Sequence, residues 1–153
     1  MTATNHALTG AIIGLSLSNP YLAIPLALAS HFALDALPHY GIRGNLRKIL
    51  AGKRFLITLI IDIALCIILA ISLSIIRPIN WQMGIFCAFI ASSPDLMWVK
   101  MFIAARTRHR LPKIKDSFSS LHSKIQWFQR PIGAFVEVAW FVSAIFFLGI
   151  LIK

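Results

Sequence analysis

The sequence predicts an all-α integral membrane protein, a bundle of about five transmembrane helices with a basic amphipathic surface helix before the last span. Of the 153 residues, 58% are hydrophobic and only 13% are charged, about half the charged share of a typical soluble domain. The mean hydropathy is +0.79. Five apolar segments, separated by short turns or basic loops, fit one membrane domain that covers residues 1–153.

The five predicted spans are bounded by residues that favour helix ends. They cover about residues 5–18, 21–37, 55–76, 80–99 and 131–152. The first is short, because a full span needs roughly 20 residues. Pro20, Pro38 and Pro78 end the first three segments, and Pro131 is suited to the first turn of the fifth. The fourth segment is predicted to continue as a basic helix to Arg110.

The basic residues predict the orientation. Thirteen of the fifteen Lys and Arg residues lie in the loops 40–54 and 100–130. The positive-inside rule therefore places both loops and the N-terminus in the cytoplasm and Lys153 outside. The net charge of +10 then indicates contact with anionic lipid headgroups rather than binding to nucleic acid. Membrane lipids are the expected partners, and the oligomeric state stays open, although Gly10 and Gly14 would allow close packing in a dimer.

The second basic loop also carries an apolar pattern. Apolar residues at 114, 118, 121, 125 and 128 recur at helical spacing on one side. This pattern predicts an amphipathic helix on the inner membrane surface. His122 lies on that helix. It could act as an acid over a site, or it could simply face the headgroups.

The ionisable residues in the apolar segments share one predicted depth, near the cytoplasmic face. They are His6, His31, Asp35, His39, Asp62, Asp95 and Glu137. Charge inside a bilayer is costly, so such a convergence predicts a functional site. Histidine together with Asp or Glu is the composition of a metal site. Two of these residues, His31 and Asp35, are four apart and would share one helix face.

The other members of this set have alternative interpretations. His39 follows Pro38 and belongs either to the site or to the loop. Asp95 ends a Ser-Ser-Pro-Asp break, where it is either a ligand or the cap of a following basic helix. Asp62 and Glu137 lie deeper, which argues against a cap and favours proton transfer. Glu137 is the preferred general base.

Three short motifs carry a family resemblance: NHALTGAIIG at the start, HFALDALPH at the end of the second segment, and SSPD. They resemble the bacterial family of LexA-regulated, membrane-bound metal-dependent hydrolases. The resemblance implies a small multi-span protein of the bacterial inner (plasma) membrane, with metal ligands at His6, His31, Asp35 and Asp95. The family's Pro-Asp motifs often carry a second Asp nearby, whereas Met97 and Trp98 follow here, which leaves the number of metal ions open.

The function predicted from these features is a metal-dependent hydrolase at the cytoplasmic face, acting on a lipid phosphoester. One or two divalent ions, zinc or else manganese or magnesium, would be held by His6, His31, Asp35 and Asp95, with His39 as a marginal fifth ligand. Proton transfer would fall to Glu137, Asp62 or His122. The alternatives are a metal-ion or proton transporter, or a non-catalytic membrane protein that binds anionic lipid. A transporter should carry polar groups across the full depth, whereas here they cluster at one face.

Overall fold

The computed structural model describes residues 1–41, 44–108, 111–112 and 117–153. In this part of the chain the fold is all-α, which confirms the predicted class. The helices are α1 (Ala3–Ser16), α2 (Pro20–Ala36), α3 (Leu46–Ala51), α4 (Lys53–Ile76), α5 (Trp81–Ser92), α6 (Met97–Thr107), α7 (Ser117–Ile125) and α8 (Gly133–Leu151). Two 3-10 turns, Ser93–Leu96 and Gln126–Phe128, follow α5 and α7.

Within the described residues, three stretches are long and apolar enough to cross a membrane: Lys53–Ile76, Trp81–Thr107 and Gly133–Leu151. The third and fifth predicted spans correspond to the first and last of these. The fourth is interrupted where the Pro-Asp motif predicts a break, by the turn Ser93–Leu96 between α5 and α6. The first two predicted spans form α1 and α2, which have 14 and 17 residues and are shorter than the roughly 20 residues of a typical span.

Helix α1 lies at the centre of the bundle and packs against α2, α4, α5 and α8. Two glycines explain how it approaches α5 so closely. A Cβ atom at Gly10 would overlap the Cys87 carbonyl oxygen, and one at Gly14 would overlap the Met83 carbonyl oxygen. The small-residue pair predicted from the sequence therefore serves packing within the chain.

One end of the bundle, here called the site end, gathers the start of α1, the end of α2, the starts of α4 and α8, and the turn Ser93–Leu96. The segment after α2 is tied to the start of α8, since the Arg130 amide donates to the His39 carbonyl at 3.0 Å. Because α8 begins at Gly133, Pro131 precedes the helix, and the prediction that it lies in the first turn was wrong.

The two long basic loops contain short helices. The loop predicted at 40–54 holds α3, and the loop predicted at 100–130 holds the end of α6 and all of α7. Several residues of the predicted loops, Arg43, Arg110, Lys113, Ile114 and Lys115, lie outside the described residues. The described part of the predicted amphipathic helix is α7, Ser117–Ile125, which continues into the turn Gln126–Phe128.

Candidate metal centre

The last turns of α2 supply the first two side chains of the site. His31 and Asp35 are one turn apart, on the same face of the helix as predicted, and both are fully buried. The His31 Nε2 atom lies 3.3 Å from Asp35 Oδ2. Burial of a carboxylate at the end of an apolar helix requires compensating partners, which come from other elements.

Two further side chains complete a group of four. Asp95 comes from the 3-10 turn after α5, and His122 comes from α7. One ligating atom from each of His31, Asp35, Asp95 and His122 lies within 4.8 Å of all the others. The His122 Nε2 atom is 2.9 Å from Asp35 Oδ2 and 3.7 Å from Asp95 Oδ1. Asp95 is the partly exposed member, with 21% of its side chain accessible.

Both imidazole rings are held through Nδ1. His31 Nδ1 lies 2.8 Å from the Ala91 carbonyl oxygen, and His122 Nδ1 lies 2.9 Å from the Met97 sulfur. With Nδ1 as the donor in each ring, both Nε2 atoms present lone pairs, and these two atoms are only 2.9 Å apart. Facing lone pairs repel unless a cation or a proton is held beside them. Outer partners on Nδ1 are also the usual arrangement around metal-binding histidines.

A third histidine borders the group. His6 of α1 lies with its Nε2 atom 3.1 Å from Asp35 Oδ1 and 3.9 Å from Asp95 Oδ2. Its ring stacks on His31 with a centroid separation of 4.0 Å. The His6 Nδ1 atom is buried and has no hydrogen-bond partner among the described residues.

The charge balance of the group favours a cation. Asp35 and Asp95 provide two carboxylates, and no Lys or Arg side chain within the described ranges forms an ion pair with either. The Met1 amino group contacts Asp35 Oδ1, and Gln126 Nε2 donates to Asp35 Oδ2 at 3.0 Å. Among the described residues, one ammonium group leaves the second carboxylate without a fixed counter-charge.

The donor set fits a divalent metal ion. With Zn–N and Zn–O distances of about 2.0–2.1 Å, the ligand atoms of a tetrahedral site lie roughly 3.3 Å apart. Three of the separations within this group, 2.9, 3.3 and 3.7 Å, scatter around that value, and all of the ligand atoms lie within 4.8 Å of one another. The group of four is therefore a candidate site for a divalent ion, and mixed nitrogen and oxygen ligands suit zinc or manganese.

His39, predicted as a marginal fifth ligand, lies outside the group of four. It follows α2, and its Nδ1 atom lies 2.9 Å from the Leu37 carbonyl oxygen. Burial lowers the pKa of this imidazole below its usual value. The main chain at His39 pairs with that of Gln129 in an isolated bridge, so the segment after α2 serves to hold the start of α8.

Asp62, predicted as a proton carrier, contacts the start of α1. Its carboxylate accepts hydrogen bonds from the amides of Ala3 and Thr4, both at 2.8 Å, and from the Thr4 hydroxyl. The residue before α1, Thr2, makes no side-chain cap. Asp62 therefore caps α1, a helix other than its own. The sequence did not predict this role, because Asp62 lies well inside α4.

Glu137, the predicted general base, also makes contacts outside the group of four. Its Oε1 atom accepts from the Tyr40 amide at 3.1 Å, and its main-chain oxygen accepts from Asn5 Nδ2 at 3.1 Å. These bonds join α8 to α1 and to the segment after α2. They do not bring the Glu137 carboxylate to the proposed ligands.

The sequence did not predict His122 as a ligand, nor Gln126 as its neighbour. A signal was present, because His122 is four residues after Phe118 and three before Ile125, on the face with apolar spacing. A histidine on that face is turned inward when the helix docks. The structure buries His122 completely, with its ring 5.9 Å from that of Phe32.

Comparison with known proteins assigns neither a family nor a function to this chain. No protein-family model, no characterised protein and no solved structure matches this chain.

Proposed function

We propose that this protein is a membrane-embedded metal-dependent hydrolase that acts on a lipid phosphoester. One observation carries the proposal. Two histidines and two carboxylates from three separate elements converge within 4.8 Å, with both imidazoles fixed through Nδ1. Such a buried group has little value for stability alone, because unpaired charge away from water is expensive.

The proposed ligands are His31, Asp35, Asp95 and His122, and zinc or manganese is the proposed ion. When bound, a divalent ion polarises a phosphoryl oxygen and lowers the pKa of water at the site. The chain's own contribution is positioning. The Ala91 carbonyl and the Met97 sulfur orient the two imidazoles, and Gln126 holds Asp35 through Oδ2.

His6 is the proposed proton acceptor. The ring nitrogen that faces the proposed ligands is Nε2, which lies 3.1 Å from Asp35 Oδ1 and 3.9 Å from Asp95 Oδ2. A positioned imidazole beside the ligands is a suitable general base. Glu137 and Asp62 have structural contacts instead, and we propose no proton transfer for them.

A lipid phosphoester is the proposed substrate because the site belongs to a membrane bundle and exposed basic side chains lie on the helices that follow or carry its ligands in the chain. Exposed basic residues of α3, α4, α6 and α7 include Arg47, Lys48, Lys53, Arg54, Arg106 and Lys124. Such residues attract anionic headgroups to a membrane surface. Asp95, the partly exposed ligand, offers the approach for a phosphoryl group.

The test is hydrolysis in a membrane. Protein loaded with zinc or manganese would be mixed with vesicles that contain phosphatidic acid or phosphatidylglycerol, and the released phosphate or glycerol phosphate would be measured. We expect turnover by the unmodified protein and by Leu28→Ala, an exposed control position on α2, and none by His31→Ala. Stoichiometric metal binding without hydrolysis of any such lipid would contradict the hydrolase and favour the transport or lipid-binding alternatives.

A further inference from the structure

A second feature lies beside α1, away from the proposed ligands. A cleft of about 270 Å³ opens between α4 and α8, with the first turns of α1 along one wall. Its polar lining includes Asn5, Asp62 and Glu137, and its apolar lining includes Leu65, Val138 and Phe141. Because α4 and α8 are both long enough to span a membrane, the opening faces lipid.

The lining is graded along the helices. Both α4 and α8 begin at the site end, so higher residue numbers lie deeper in the bundle. Leu65 lies about 5 Å deeper than Asp62, and Phe141 about 6 Å deeper than Glu137, at 1.5 Å per residue. The polar groups are therefore near the end of the bundle and the apolar groups near its middle. A lipid whose head group lies near the end of the bundle would therefore meet polar side chains at its head and apolar side chains along its acyl chain.

Two polar groups of the cleft keep acceptor capacity, the Asn5 side-chain oxygen and the Glu137 carboxylate, which accepts one bond from the Tyr40 amide. Asp62 already accepts three hydrogen bonds from the start of α1, and the hydroxyls of Thr2, Thr4 and Thr58 complete the polar lining. The Asn5 side chain is buried, its Nδ2 donates to the Glu137 carbonyl, and its Oδ1 has no partner among the described residues. In the same part of the chain neither Asp62 nor Glu137 forms an ion pair with Lys or Arg. An occupant that supplies hydroxyl or ammonium hydrogens would satisfy the Asn5 oxygen and the Glu137 carboxylate, whereas a phosphate head would be repelled by the two carboxylates.

We propose that this cleft binds a lipid with a hydrogen-bond-donating head group, a hydroxyl or a primary ammonium. The head contacts Asn5 and Glu137, and the chain lies along Leu65 and Phe141. The lipid enters sideways from the bilayer past Val138, which is 62% exposed. The proposal does not depend on metal binding or on hydrolysis.

The experiment uses photo-crosslinking of the full chain in phosphatidylcholine nanodiscs. Three probes carry a diazirine on the same acyl chain: a diacylglycerol, a long-chain primary amine and a phosphatidic acid. Peptide mass spectrometry then locates the labels. We expect saturable labelling of α4 and α8 by the alcohol or the amine probe. The phosphatidic acid should label this region roughly tenfold less, the factor that one lost charge-assisted hydrogen bond represents.

Matched variants test the location. Val138→Trp fills the mouth of the cleft, while Val142→Trp, one turn deeper on α8 and 60% exposed, lies outside the lining and serves as the control. Val138→Trp should lower the labelling of α4 several-fold and Val142→Trp should not. Equal labelling by all three probes, equal effects of the two variants, or failure of unlabelled diacylglycerol or amine to displace the label would overturn the proposal.

Discussion

At the scale of single residues, the site is defined by which ring nitrogen of each histidine is hydrogen-bonded to a neighbouring group of the protein. His31 and His122 both use Nδ1 for neighbours in the protein, which leaves Nε2 directed at Asp35. His39 uses Nδ1 in the same way, yet it lies on a segment that holds the start of α8. The proposed ligands place their second ring nitrogen beside Asp35, whereas His39 Nε2 is buried with no hydrogen-bond partner among the described residues.

This difference predicts opposite metal contents for two variants. His122→Gln should lose the metal, because it removes a nitrogen 2.9 Å from Asp35 Oδ2, whereas His39→Gln should keep it. Elemental analysis of both proteins after reconstitution with zinc is the measurement. Metal loss in His39→Gln with retention in His122→Gln would restore the ligand set predicted from the sequence.

Asp62 is expected to contribute stability rather than metal affinity. Asp62→Ala leaves the Ala3 and Thr4 amides without their acceptor and should lower the free energy of unfolding by about 1–2 kcal/mol, the usual cost of a lost cap. Ile63→Ala, at a lipid-facing neighbour, is the control. Thermal unfolding in detergent together with metal content tests this, and loss of metal at unchanged stability would show that Asp62 belongs to the site.

At the scale of helices, the contact between α1 and α5 sets the position of His6. Gly10 and Gly14 bring the two backbones so close that any side chain would meet a carbonyl group. This approach aligns the first turn of α1 with the turn that carries Asp95. The packing of small residues thus supports the geometry of the site from about one and two turns away.

Gly10→Ala should therefore destabilise the bundle by about 1–3 kcal/mol through overpacking. Gly149→Ala is the matched control, because a Cβ atom there meets nothing within 4 Å. The midpoints of thermal unfolding of the two variants give the comparison. Equal midpoints would mean that α1 and α5 do not pack through the glycine face.

At the scale of the whole molecule, the sequence patterns predicted local features but did not predict contacts between residues far apart in the chain. The long apolar segments, the Pro-Asp break and the shared face of His31 and Asp35 depend on neighbours within a few residues, so the sequence was sufficient for them. His122 joins the site only because α7 docks on α2, and Asp62 caps a helix that starts 59 residues earlier. Single-sequence patterns do not encode such docking.

The orientation across the membrane is a property of the whole chain, and the basic loops predict it. A cysteine introduced at Ser123, an exposed position on α7, should react with an impermeant thiol reagent only after the cells that express the protein are opened. A cysteine at Lys153 should react in intact cells. Reaction of both positions from the same side would require a different number of crossings.

The most direct test of the central claim is the metal content of freshly purified protein, measured by elemental mass spectrometry beside His31→Ala and Asp35→Ala. Our account predicts stoichiometric zinc or manganese in the unmodified protein and its loss in both variants. No bound metal, even after reconstitution with zinc and manganese, would contradict it and leave the buried histidines and carboxylates as a purely structural network.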